Sequence, residues 1–147
     1  MDKKIISLIL TLCITVASLF IVVGCGTSNN ANPASDFKYL IGQDHITISK
    51  YIGNVKDVII PNKIEGKSVT EIGNEAFKEI DWITSVEIPN SVTTIGDWAF
   101  YNCISLTNVT IPDSVIIIGS GAFYKCSLLL DETIARIKQI NSDAMWD

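Results

Sequence analysis

The chain has 147 residues, 48% of them apolar, with 16 Asp+Glu against 11 Lys+Arg and a formal charge of -5. That length suits one domain. An acidic chain without a Lys/Arg stripe repels phosphate backbones, so neither a nucleic acid partner nor electrostatic attraction to anionic lipid is expected.

Met1-Asp2-Lys3-Lys4 is a short cationic start, and an apolar run from Ile5 to Val23 comes after it, broken only by Ser, Thr, Ala and Cys13. A basic start, an apolar stretch and small or β-branched residues ahead of a cut are the marks of an export signal. Val22-Val23-Gly24-Cys25 resembles the lipobox of bacterial lipoproteins. The resemblance implies that Cys25 is acylated on sulfur and that residues 1–24 are cut away. The remainder would then sit outside the cytoplasm, anchored to the cell membrane by its N-terminal lipid. Two lysines and one aspartate leave with that segment, so -5 becomes -6. The competing reading is a transmembrane helix, since about 20 apolar residues span a bilayer. The uncharged polar stretch Gly26–Ser35 argues against it, for it holds no Lys/Arg cluster to stop transfer. Residues 25–36 read as a flexible tether.

Phe37–Ile41 and His45–Tyr51 are β-rich runs around Gly42-Gln43-Asp44 and predict a hairpin. Residues 37–60 are expected to form an N-terminal β cap that shields the open edge of the first repeat unit.

The body of the chain is periodic. Ile72–Thr94 laid over Ile95–Ile117 matches without a gap at 10 of 23 positions. A third copy starts at Ile118-Gly119 and stops matching after Leu129. Upstream, Val58-Ile59-Ile60-Pro61 repeats the strand part, with five extra residues before Ile72-Gly73. A fixed period in the twenties signals a solenoid whose units cannot bury an apolar face alone. Ile83-x-x-Val86-x-Ile88 and Leu106-x-x-Val109-x-Ile111 place the last two apolar residues on one face of a strand. Pro89 and Pro112 end those strands. Gly73, Gly96 and Gly119 are expected to supply a tight backbone bend at the corner. The expected fold is mainly β: about three leucine-rich rungs over 61–130, with a helical cap over 131–147 that has Asp131 as N-cap and Ile134, Ile137, Ile140 and Met145 facing the last rung.

The order IP, SV, IG, AF, C, L, V, IP resembles the BspA-like, or Treponema pallidum-type, leucine-rich repeat from about Ile46 to Leu129. That resemblance implies a microbial surface solenoid associated with adhesion and protein binding. Ile80 stands where the pattern has Cys, and the third unit lacks its closing strand.

Cys103 and Cys126 hold one repeat position on adjacent rungs, and Ile80 marks that slot as apolar and inward. Stacked rungs bring such Cα atoms within disulfide range. Buried free thiols are the expectation, because one ladder suits the disulfide torsion poorly. Two sulfurs without further ligands make a zinc site improbable. No catalytic residue, metal or cofactor is expected: His45, beside Asp44 in a turn, has no marked nucleophile. The strand positions Ser85, Glu87, Asn108 and Thr110 form the expected binding face for a protein partner. Trp82 aligns with Ser105, and Trp98 with Glu75 and Gly121; either tryptophan could be a binding anchor. The alternative for Trp98 is a ring lying in the space left by Gly121. The expected function is a surface lipoprotein presenting a repeat module for binding or adhesion. The alternative is a structural envelope lipoprotein, or the remnant of a longer repeat protein, without a specific ligand.

Overall fold

The computed structural model describes residues 30–146. Val22, Val23, Gly24 and Cys25, with the export signal, lie outside the described residues.

Strands β1 (Phe37–Ile41) and β2 (His45–Tyr51) pair antiparallel around the Gly42 turn, where the Gly42 N–H donates to His45 O at 2.8 Å. From there the chain coils. Strands β3 (Asp57–Ile59), β4 (Lys63–Ile64), β5 (Lys67–Ile72), β6 (Ser85–Glu87), β7 (Thr94–Ile95), β8 (Asn108–Thr110) and β9 (Ile117–Ile118) precede helix α1 (Asp131–Ile140) and a 3-10 turn, Ser142–Met145. Two ladders result. One runs β1-β2-β5-β7-β9, with β4 beside β5, and the other runs β3-β6-β8. The β3-β6-β8 pairs and the β2-β5-β7-β9 pairs are parallel. The leucine-rich spacing foretells β6 and β8. The second ladder is a finding of the structure: Thr94–Ile95 and Ile117–Ile118 are two-residue strands, too short for alternation to reveal.

The five extra residues of the first unit become the β4–β5 hairpin. Its turn residues, Glu65 and Gly66, have φ of 51 and 78°. Positive φ at both central residues belongs to the tight turn whose twist suits paired strands. Two polar links tie this hairpin to the N-terminal one. Tyr39 Oη donates to Glu65 Oε1 at 2.9 Å, and Lys67 Nζ donates to Gly42 O at 2.7 Å.

The core is a set of columns running through the rungs. Phe37, Tyr51, Phe77, Phe100 and Phe123 are all buried and form one file, with ring centroids 5.5, 5.3, 4.8 and 5.0 Å apart. These separations fall in the favourable range for offset aromatic pairs. Tyr51 fills the slot that Phe holds in every later rung. Ile48, Ile72, Ile95 and Ile118 make a second buried column.

The corner around each Phe carries a backbone feature that apolar spacing hides. Glu75, Trp98 and Gly121 share a left-handed conformation at φ 60, 58 and 58°. Glu79, Asn102 and Lys125 share another at 61, 58 and 63°. Such a conformation costs a non-glycine residue roughly 1–2 kcal/mol. Here it turns amides along the stack: Trp98 N–H donates to Ser120 O at 3.1 Å and Asn102 N–H to Tyr124 O at 2.9 Å.

Gly96 and Gly119 have a different reason to be glycine from the bend expected of them. Their φ is not positive, but a Cβ on Gly96 would meet Asn74 N at 2.6 Å and Gly73 C at 2.8 Å. Adjacent rungs approach too closely for a side chain there. The same corner carries an Asn/Asp ladder: Asp97 N–H donates to Asn74 Oδ1 at 2.9 Å, and Ser120 N–H to Asp97 Oδ1 at 2.8 Å.

At the N-terminal end, residues 30–36, inside the stretch read as tether, lie against the solenoid. Asn32 N–H donates to Ile59 O and Asn32 Oδ1 accepts from Ile59 N–H, each at 2.8 Å. The side chain thereby satisfies the outer edge of β3, which itself stacks as the first strand of its ladder rather than as part of a separate cap. At the C-terminal end, Asp131 is not the N-cap. Leu130 is, with φ -64 and ψ 145° and no side-chain cap bond, because its N–H still continues the ladder to Thr107 O at 2.9 Å. Asp131 becomes the first helical residue and retains a favourable place near the positive end of the helix. Ile137 is fully buried, and Ile134, Ile140 and Met145 pack partly against the core, as the spacing predicts. The 3-10 turn then imitates a further rung, accepting from Gly121 N–H at Asp143 O and from Phe123 N–H at Ala144 O.

Candidate binding face

The strand positions between the apolar ones form two outward rows. Asp57, Ser85 and Asn108 are register partners across β3, β6 and β8, and so are Ile59, Glu87 and Thr110. All four expected strand residues are therefore brought together. Sequence reasoning misses Asp57 and Ile59, because the five-residue insertion puts Asp57 28 positions before Ser85 instead of 23. The signal that finds both is the alignment of the Val-x-Ile-Pro strings of Val58–Pro61 and Val86–Pro89.

The rows differ in chemistry. In the first, Ser85 Oγ and Thr84 Oγ1 donate to Asp57 Oδ1 at 2.7 and 2.8 Å, and Thr133 Oγ1 donates to Asn108 Oδ1 at 3.3 Å. The Ser85 and Thr84 hydroxyls hold the Asp57 carboxyl below its ordinary value of 3.8. This row is polar, internally bonded and acidic at its N-terminal end. In the second row, Glu87 and Thr110 are exposed, and among the described residues neither side chain makes a hydrogen bond. Each opens onto a shallow cavity: about 300 Å³ where Glu87 meets Ile59, Asn62 and Pro89, and about 250 Å³ where Thr110 meets Glu132 and Arg136. The guanidinium of Arg136 pairs with Asp113 at 3.4 Å.

Trp98 does not stand on the β3-β6-β8 strands. Trp98 sits at the Phe corner, edge-on to Tyr101 with centroids 5.1 Å apart, and a Cβ on Gly121 would lie 3.4 Å from its ring. The ring thus occupies the space that Gly121 leaves, and its conformation comes from the shared left-handed slot. Trp82 is 45% exposed on the approach to β6, and Leu128, two repeat periods later, is exposed as well. His45 is exposed and its ring stands over Gly42, where a Cβ would meet it at 2.6 Å.

Cys103 and Cys126 are free and buried. Each thiol donates to the carbonyl of the Phe one rung earlier, Cys103 to Phe77 O and Cys126 to Phe100 O, both at 3.0 Å. The adjoining Cys126 thiol, with burial, pushes the Cys103 thiol far above its usual value. Such thiols are inert, since the thiolate is the reactive form. Among the described residues no group of three or more His, Cys, Asp or Glu is placed to hold a metal ion, and no helix is long and apolar enough to cross a membrane.

Residues 46–147 match the family described as the BspA type leucine rich repeat region, in six copies. The chain belongs to that family. Solved structures carry the same fold. A leucine-rich-repeat protein of T. pallidum is 35% identical with a TM-score of 0.66, over 67% of this chain and 47% of that one. A leucine rich cell surface protein of Faecalibacterium prausnitzii is 38% identical with a TM-score of 0.61, over 67% and 29%. A leucine-rich repeat protein from Bacteroides capillosus is 31% identical with a TM-score of 0.62, over 67% of this chain and 77% of that one. No curated protein matches at a significant level. This BspA-type chain therefore spans about half of the T. pallidum protein and less than a third of the F. prausnitzii one.

Proposed function

We propose that this BspA-type chain is a surface lipoprotein, held by acyl groups on Cys25, that presents the β3-β6-β8 face for binding another protein. The observation that carries it is the row Ile59–Glu87–Thr110: exposed at Glu87 and Thr110, unbonded there by its own chain, and set on a stack whose inward positions are committed to packing. Repeat proteins bind through such extended surfaces, which neighbouring rungs build together. Among the described residues the face holds no buried acid–base pair and no nucleophile beside a base, the groups that a reaction would require. Support for surface display comes from the signal-like start, the Gly26–Ser35 spacer and the similarity to a protein described as a cell surface protein. The test is intact-mass measurement of the membrane fraction with protease shaving of whole cells. The native chain should start at Cys25, carry acyl mass and be removed by protease, whereas Cys25→Ala should lose that mass and leave the membrane. A wild-type chain that is unmodified, or protected from protease on intact cells, contradicts the proposal.

The short span relative to its neighbours favours one second reading, a remnant of a longer repeat protein acting as a structural envelope lipoprotein. It predicts that altering Glu87 and Thr110 changes no interaction.

A further inference from the structure

The longer ladder has an uncovered edge. Strand β1 ends the order β1-β2-β5-β7-β9 and has a neighbour on one side only. The Gly42 N–H bonds to His45 O, so Leu40, two residues away, is the next to share ladder bonds, with Thr47. By the alternation of an antiparallel pair, the N–H and C=O groups of Tyr39 and Ile41 point away from β2. Among the described residues no turn, cap or side-chain hydrogen bond meets those groups. Elsewhere the ladder ends are closed: Asn32 covers Ile59 on β3, and Asn141 Nδ2 donates to Ile118 O on β9. The register shift between Lys38 and Tyr39 leaves Tyr39–Ile41 a regular run, and the Tyr39 Oη bond to Glu65 holds that run in place. Leu40 is 64% exposed and Ile41 54%. Leu40 differs in character from its row, whose next members are Thr47, Glu71 and Thr94. Charge is divided along the edge. Exposed Lys38 and Lys50 are register partners at one end, and exposed Asp44 sits in the turn at the other. Nearby, Asp36 is engaged by Asn32, and Lys67 by the carbonyls of Gly42 and Gln43.

We infer that β1 is the docking edge for a second copy of this chain, paired strand to strand and antiparallel about a two-fold axis at Leu40. An open edge is a template for another strand, and a two-fold contact needs a patch that complements itself. The β1 edge meets that requirement. Setting Leu40 against Leu40 of the second copy pairs Tyr39 with Ile41 and Ile41 with Tyr39, so the open backbone groups of each strand satisfy those of the other. The two leucines then occupy the close, non-hydrogen-bonded position, with Cα atoms about 4.5 Å apart. The same register carries Lys38 to the Gly42–Asp44 turn of the second copy, and symmetry repeats the contact. A parallel arrangement would instead set Lys38 beside Lys38 and Asp44 beside Asp44. The shared edge is short, so the pair belongs with the small, transient interfaces and the dilute chain is single. Strand β1 is not part of the β3-β6-β8 ladder, and the inference does not depend on the binding face proposed there.

Oxidative cross-linking of cysteine variants of the purified full chain in detergent tests it, with oxidised glutathione as the reagent and rates taken above the wild-type background. Leu40→Cys should form a disulfide-linked dimer about tenfold or more faster than Ile117→Cys, because only the former places two Cα atoms within disulfide range. Ile117 is a matched control, exposed on β9 at the other end of the same ladder. Lys38→Glu in the Leu40→Cys chain should slow cross-linking several-fold. Adding Asp44→Lys should restore the rate, since the double reversal rebuilds an opposite-charge contact at both ends. All four positions are exposed, so the variants keep the fold. Equal rates for Leu40→Cys and Ile117→Cys overturn the inference. So does a dimer that appears only when both cysteines are present, the mark of head-to-tail stacking, or a rate that Lys38→Glu leaves unchanged. A Leu40→Cys thiol that never cross-links, yet is shielded by an extended apolar peptide, gives the edge a different occupant and overturns it as well.

Discussion

At single positions the fold rests on contacts made between rungs. Phe100 has an aromatic neighbour on either side, at 4.8 and 5.0 Å, and no exposed surface. Phe100→Ala should cost about 3–5 kcal/mol, a large share of the roughly 5–15 kcal/mol that holds a domain; chemical denaturation measures it. Gly96→Ala presses a methyl into backbone and should cost about 1–3 kcal/mol, as overpacking does. Gly66→Ala meets open space at φ 78°, so its loss should be only about 1 kcal/mol, from conformation alone. Reversing that order in a denaturant series would remove the close-approach account of Gly96. The thiols of Cys103 and Cys126 should react with an aromatic disulfide reagent only as fast as the protein opens, since both are buried and hydrogen-bonded. Rapid labelling in native buffer would contradict their placement. The Asp57 carboxyl is depressed by Ser85 and Thr84, so its contribution is present above the ordinary value of 3.8 and is lost as pH falls through the lower folded value. Asp57→Asn should therefore flatten the acid limb of stability against pH, and leave the limb above about pH 5 parallel to wild type.

The elements are unequally legible. The leucine-rich strands, the hairpin before them and the α1 stripe all come from apolar spacing, because burial selects those residues directly. Ile83, Val86 and Ile88 are buried, as are Leu106 and Val109 one rung later. Features set by backbone geometry between rungs leave only a weak trace in any one unit. The left-handed pair at Trp98 and Asn102 flanks the buried Ala99-Phe100 and leaves no mark in the apolar spacing, although Gly121 and Asn102 at those positions are a usable hint. Glu65-Gly66 marks the β4–β5 turn, but the extra length of the first unit does not by itself place a turn there. Asp131 has the residue type of a cap; the ladder bond from Leu130 N–H moves the helix start by one residue. The helix itself has a clear task. It closes the C-terminal ends of both ladders, with Ile137 fully buried and Asn141 Nδ2 donating to Ile118 O at 2.8 Å. Ile137→Asp should expose the β8 and β9 edges and shift the chain to oligomers in size-exclusion chromatography, since uncovered strands recruit one another. A monomeric, unaltered elution profile would show that other contacts close that end.

Over the whole molecule, the repeat divides labour by facing. Inward positions form columns of Phe, Ile and Cys that make the stack one body; of the outward positions, the Asp57–Ser85–Asn108 row is bonded within the chain, whereas Glu87 and Thr110 carry no such bonds. The candidate face is legible to the extent that alternation assigns Ser85, Glu87, Asn108 and Thr110 outward. Which row is self-satisfied is not, because Asp57 and Thr133 reach it from other elements. The most direct test substitutes Glu87→Arg together with Thr110→Arg in the full chain, and measures unfolding free energy and binding to immobilised extracellular-matrix and envelope proteins side by side. The account predicts stability within about 0.5 kcal/mol of wild type, as for surface changes generally, together with loss of a saturable interaction that the wild type shows. An interaction of undiminished affinity in the double variant, or none in the wild type, would contradict it.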